Sequence, residues 1–227
     1  MIVANATNLD SRTIEGDPKK ERRLSRGEDP IVLTDIYNEG INIVTWHRDL
    51  PASLQSSVQK FLASNPGFEA TMTVSLKNVS ASISEAFGNI EQRDLVEDIS
   101  ELVHMFCDLF QLSNVGLRLS ALDKAMCPKF HVDRIPCRLV TTYQGIATEW
   151  LPHAVVDRTK LGTGSNGLSD SESGLYPSES DIQQLACGDV ALLKGEHWYD
   201  NEKAGLVHRS PSLPNGGCRL LLTLDFA

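Results

Sequence analysis

Lys129-Phe130-His131-Val132-Asp133 is the stretch on which the reading of this chain turns. His131 and Asp133 stand two residues apart. On an extended backbone, side chains two apart project from the same face, so an imidazole and a carboxylate point the same way. His208 supplies a second imidazole far downstream. Two histidines and one carboxylate leave about half of the positions of an octahedral ion open. Arg219 follows His208 with ten residues between them.

The order His-x-Asp, distal His, ten residues, Arg resembles the Fe(II)/2-oxoglutarate-dependent oxygenase superfamily. The resemblance covers roughly residues 115 to 227. It implies a metal, Fe(II), held by His131, Asp133 and His208, which are then also the catalytic set. 2-Oxoglutarate would chelate that metal as co-substrate, with O2 at the remaining position. Arg219 would pair with the far carboxylate of 2-oxoglutarate, a role that suits a planar guanidinium able to make two parallel hydrogen bonds. Many members carry Ser or Thr two residues after the Arg; this chain departs from that pattern with Leu221. The whole chain also resembles an uncharacterised bacterial domain family, which brings no activity with it.

Other readings of the same residues stay open at this point. Asp133 can pair with Arg134 or Arg138, and His208 can be a buried residue with its hydrogen bonds satisfied. Arg219 can find a protein carboxylate such as Asp225. Cys127, His131 and Cys137 are close in sequence, and zinc is the alternative metal they suggest. Thr141 and Tyr143 share a face if their strand is regular, and both are expected to line the co-substrate pocket. Two function classes follow. One is an oxygenase, a hydroxylase whose substrate, small molecule or protein, the sequence does not identify. The other is a non-catalytic metal-binding or metal-sensing protein, for iron or zinc, on the same barrel.

Composition narrows the field. The chain has 227 residues and a net charge of -9, so neither nucleic acid nor an anionic membrane is an expected partner. No apolar run approaches the length of a membrane span. Met1-Ile2-Val3-Ala4-Asn5 lacks the charged start and long apolar core of a signal peptide. The five cysteines, Cys107, Cys127, Cys137, Cys187 and Cys218, are scattered without a CxxC pair. Reduced thiols in the cytoplasm are the expectation. The sequence sets no oligomeric state.

The rest of the chain is expected to form one α+β domain. Residues 1–29 are polar and read as a flexible N-terminal arm. Helical support is expected over about 30–114, with its main helix over Asp94–Leu112, where Leu95, Ile99, Leu102, Val103 and Phe106 make one apolar stripe. Short strands separated by turn residues follow from about 115 to 227. They suggest a double-stranded β-helix, a jelly-roll or cupin-like barrel. Residues 157–180 interrupt the rhythm with a Gly-, Ser- and Asp-rich run expected to be a mobile loop.

Overall fold

Helix α3, Arg93–Phe110, carries the apolar stripe on one face and lays it against a large sheet. Asp94 sits in its first turn, where negative charge suits the helix dipole. Gln111, in the left-handed region at φ 55°, ends it by donating its backbone N–H to Asp108 and Cys107. Two shorter helices flank it: α1, Ala52–Ser64, led in by Pro51, and α2, Val79–Phe87, which buries Val79, Ile83 and Phe87 at four-residue spacing. These details come from a computed structural model that describes residues 21–88, 90 and 92–227.

The strands are β1 (Arg23–Gly27), β2 (Ile41–Trp46), β3 (Glu69–Ser75), β4 (Asn114–Leu122), β5 (Cys137–Gln144), β6 (Glu149–Leu151), β7 (Gln183–Gln184), β8 (Val190–Lys194), β9 (Val207–Arg209) and β10 (Arg219–Phe226). They form a seven-stranded sheet, in the order β1-β2-β8-β5-β10-β4-β3, and a three-stranded sheet, β7-β6-β9. Leu117, Leu119, Leu139, Leu222 and Leu224 point to the helices and build the main core. The opposite face of the large sheet meets the small one through Ile43, Val140, Leu193 and Leu221 on one side and Trp150 and Leu206 on the other. The architecture is therefore mixed α and β, as expected. Among the described residues no hydrogen-bonded ladder joins the two sheets into a closed barrel.

Two expectations need correction, and a third is filled out. Ile41–Trp46 and the alternating run at residues 70–79 read as strands in the sequence, and these regions join the large sheet as β2 and β3, so helical support is only part of the 30–114 block. The arm does not extend to residue 29: Arg23–Gly27 pairs in parallel with β2, while residues 1–20 lie outside the described residues. The segment 157–180 is not an open loop. It folds into short 3-10 turns and buries Leu175 and Tyr176 against Phe130, Leu151 and Val207. Two apolar anchors suffice to dock a segment whose composition is otherwise polar.

Candidate metal centre

His131 and His208 face each other as an antiparallel pair. The backbone N–H of each donates to the carbonyl of the other, both at 3.0 Å. This narrow pairing sets the two imidazoles side by side, with ring centroids 4.6 Å apart. Asp133, two residues on, reaches the same side: its Oδ1 lies 3.7 Å from His131 Nε2 and its Oδ2 3.5 Å from His208 Nε2. One ligand atom from each of the three residues falls within 4.8 Å of the others, so a single ion can touch all three.

The ring protons are fixed by what the other nitrogens meet. His131 Nδ1 is 2.9 Å from the Lys129 carbonyl and His208 Nδ1 is 3.3 Å from the Leu206 carbonyl. A carbonyl only accepts, so each Nδ1 donates, and in the neutral ring this leaves Nε2 as the metal-binding nitrogen. Burial pushes the His208 imidazole down to about 4, against the pull of Asp133. It is therefore neutral at pH 7, the form that binds a metal.

Asp133 is held from both sides. Its carbonyl accepts from Glu196 N–H at 2.9 Å. Gly195 permits that approach: a Cβ there would stand 2.8 Å from the Asp133 carbonyl oxygen and 2.1 Å from that of Ile135. Arg138 Nη1 lies 2.8 Å from Asp133 Oδ2, yet this oxygen accepts no hydrogen bond from the described residues. The contact is thus an ion pair off the N–H direction, and Oδ2 remains a buried acceptor with lone pairs unused. Such an atom is costly to leave unmatched. Arg138 spends its Nε and Nη2 on Asp225, both at 2.8 Å. The pairing of Asp133 with Arg138 foreseen from sequence therefore exists, and it coexists with the cluster.

The segment 157–180 ties these pieces together through Asp170. Its Oδ2 accepts from Phe130 N–H at 2.9 Å and from Arg209 Nη1 at 3.2 Å. Phe130 precedes His131 and Arg209 follows His208. Arg209 also pairs with Glu149 at 2.6 Å and stacks over the Phe130 ring at 4.2 Å. The sequence reading missed Asp170, which no spacing rule distinguishes within an acidic, serine-rich run.

Arg219 opens β10 with 1% of its surface exposed. Gly145 makes room for it: at φ 91°, a Cβ on this residue would stand 2.6 Å from the Cys218 carbonyl. The guanidinium donates to Thr142 Oγ1 at 3.1 Å and to Thr148 Oγ1 at 2.7 Å. No carboxylate pairs with it among the described residues, and Asp225 is taken by Arg138. Burial draws the Arg219 pKa down to about 10, so it stays charged at neutral pH. Leu221, at the position where many members of the resembled superfamily carry Ser or Thr, packs between the sheets, and Thr142 and Thr148 supply hydroxyls to Arg219.

Thr141 and Tyr143 do share a face, but it is the helix side of the sheet. Tyr143 sits in the main core and donates its phenol to Asp98 on α3 at 2.6 Å, while Arg48 grips the same carboxylate at 2.6 and 2.9 Å. Neither residue lines the Arg219 site; Thr142, between them, does. The zinc alternative does not form either. Cys137 is fully buried in the main core, where burial raises its thiol pKa far above the usual range, and neither Cys127 nor Cys137 joins the cluster.

Fold and cluster together define a class: mixed α and β proteins built on a large sheet, with a His-Asp-His group between elements of two sheets. Solved structures of this fold include the dioxygenase for auxin oxidation in rice, with a TM-score of 0.50 at 9% identity over 91% of this chain and 83% of that one. Dioxygenase for auxin oxidation 1 from Arabidopsis thaliana, in its binary complex with 2-oxoglutarate, gives a TM-score of 0.50 at 9% identity over 90% and 92%. At such identity the likeness is one of fold. The chain belongs to the family described as protein of unknown function (DUF1826), whose profile matches residues 27–225. No curated protein matches it by sequence.

Proposed function

We propose that this chain is an Fe(II)- and 2-oxoglutarate-dependent oxygenase, acting as a hydroxylase on a double-stranded β-helix formed by its two facing sheets. The observation that carries the reading is the convergence of two Nε2 lone pairs and a carboxylate oxygen without a hydrogen bond. An ion would satisfy all three at once, and the neutral-His, anionic-Asp donor set suits Fe(II). The fold shared with dioxygenases, one of them holding 2-oxoglutarate, supports the same reading.

When bound, iron and 2-oxoglutarate supply oxidative chemistry with O2. The protein's own part is to bind, orient and exclude water. The Lys129 and Leu206 carbonyls hold the two imidazoles in the metal-binding tautomer. Asp133 offsets the charge of the ion, and Arg138 keeps its carboxylate in place. Arg219, braced by Thr142 and Thr148, offers its fork to the far carboxylate of 2-oxoglutarate. Burial of Arg219 and His208 keeps bulk water from those two side chains.

Two measurements test the reading. The purified protein is expected to take up one divalent ion per chain, and His131→Ala or Asp133→Ala to lose it. Metal analysis giving equal occupancy in wild type and both variants rejects the site. With Fe(II) and O2, 2-oxoglutarate is expected to be turned over to succinate. Metal uptake without any 2-oxoglutarate binding would leave a metal-only protein.

A further inference from the structure

On the site-facing side of the large sheet, beyond Leu221, lies a cleft of about 490 Å3 over β3, β4 and β10. That volume falls within the range of small-molecule sites, roughly 300–1,000 Å3. Register explains why it is hollow. Thr73, Gly116 and Asp225 stand in one row across the three strands, and Thr71, Arg118 and Thr223 in the next. Gly116 has no side chain, so the floor of the first row drops away.

Two polar side chains in this cleft carry the argument. Ser120 is 2% exposed, and its hydroxyl makes no hydrogen bond with the described residues. Arg118 is exposed, and its only polar contact among the described residues is a weak one, 3.9 Å from Nη1 to Met126 Sδ. Asp225, the acid lining the cleft, is already held by Arg138. Arg118 thus has no carboxylate partner among the described residues, hydroxyls of Ser120, Thr71, Thr73 and Thr223 lie beside it, Glu69 faces Ser120 across the ladder outside the lining, and Met126 and Leu221 give an apolar wall. Arg138 lines the cleft as well and touches Asp133, so the cleft borders the metal cluster. It is separate from the Arg219 site. Thr223, opposite Arg118, is four residues along β10 from Arg219, about 13 Å at 3.3 Å per residue.

We propose that this cleft is the subsite for the primary substrate, an anionic small molecule with an apolar body, whose carboxylate is taken by Arg118 and Ser120. The substrate role rests on the oxygenase reading, whereas the binding of an anion does not. A guanidinium and a hydroxyl donor suit a carboxylate, and such charge-assisted bonds are the stronger ones.

The test uses the full chain and two isosteric probes, benzoate and neutral benzamide, titrated with detection by NMR. Benzoate is expected to bind about tenfold or more tightly than benzamide, the usual worth of a hydrogen bond to a charged group. Arg118→Gln removes this preference. Gly116→Leu blocks both probes; a Cβ at residue 116 meets nothing nearer than 3.8 Å, so the strand itself tolerates the change. Arg219→Leu leaves benzoate binding intact. Equal affinity for the two probes, no binding of either, or a preference that survives Arg118→Gln overturns the proposal. So does benzoate binding that depends on Arg219 instead. If Arg118-dependent binding is found but no succinate forms from 2-oxoglutarate, the cleft stands and the oxygenase reading falls.

Discussion

Arg219→Leu is expected to weaken 2-oxoglutarate binding about 30-fold or more, with divalent-metal binding left in place. The guanidinium is 1% exposed and, among the described residues, reaches only the hydroxyls of Thr142 and Thr148. A cation in that position bears a desolvation cost with no anion to offset it. A ligand carboxylate would supply the missing charge, and losing one partner of a buried charged pair costs about 2–5 kcal/mol. Metal binding should persist, because Arg219 touches none of His131, Asp133 and His208. Calorimetric titration with Mn(II)-loaded protein measures both quantities. A second readout separates a ligand anchor from a structural arginine. If Arg219 waits for an anion, the ligand-free variant loses no thermal stability, since leucine removes an uncompensated charge. A variant that binds 2-oxoglutarate like wild type and melts much lower would assign Arg219 to the scaffold.

Phe106→Ala should destabilise the protein by about 3–5 kcal/mol, the range for deleting a buried aromatic ring. Phe106 is 1% exposed. It meets Phe110 edge-on at 4.9 Å and Phe226 at 5.6 Å, joining α3 to the inner strand β10. Against a typical total of about 5–15 kcal/mol, this loss is large. Urea unfolding measures it through a lowered midpoint at unchanged slope. A shift below about 1 kcal/mol would mean that the core refills the cavity, contrary to the close packing seen here.

The metal cluster was legible in the sequence because a two-residue spacing survives even where the backbone pairs only at a single bridge. His131 and Asp133 reach the same ion-sized space although no regular strand runs through them. The co-substrate side was less legible. β5 reads Cys-Arg-Leu-Val-Thr-Thr-Tyr-Gln, and nearly all of it is buried because helices cover one face and the small sheet the other. A strand covered on both sides loses the apolar-polar alternation that would tell its faces apart. Period two therefore paired Thr141 with Tyr143 correctly but left open which face carries the site. β1 was hidden for another reason: Arg23-Leu24-Ser25-Arg26-Gly27 is an edge strand, where charge protects against unwanted pairing and reads as a polar arm. Helix α2 was overlooked although Val79, Ile83 and Phe87 recur every four residues, since three serines between them dilute the pattern.

The strand order carries a consequence for biosynthesis. β10 lies between β5 and β4 and pairs with both along most of its length. Until residues 219–226 emerge from the ribosome, those two strands have bare edges toward each other and the main core has no centre. Chain growth runs at about 5–20 residues per second, so the nascent protein waits several seconds after β4 appears before the strand that joins it to β5 exists. The polypeptide is thus one whose decisive folding step waits until every other strand of the large sheet has been made. A ribosome stalled short of that strand would present two half-sheets, each with an unpaired edge open to chaperones and to other chains.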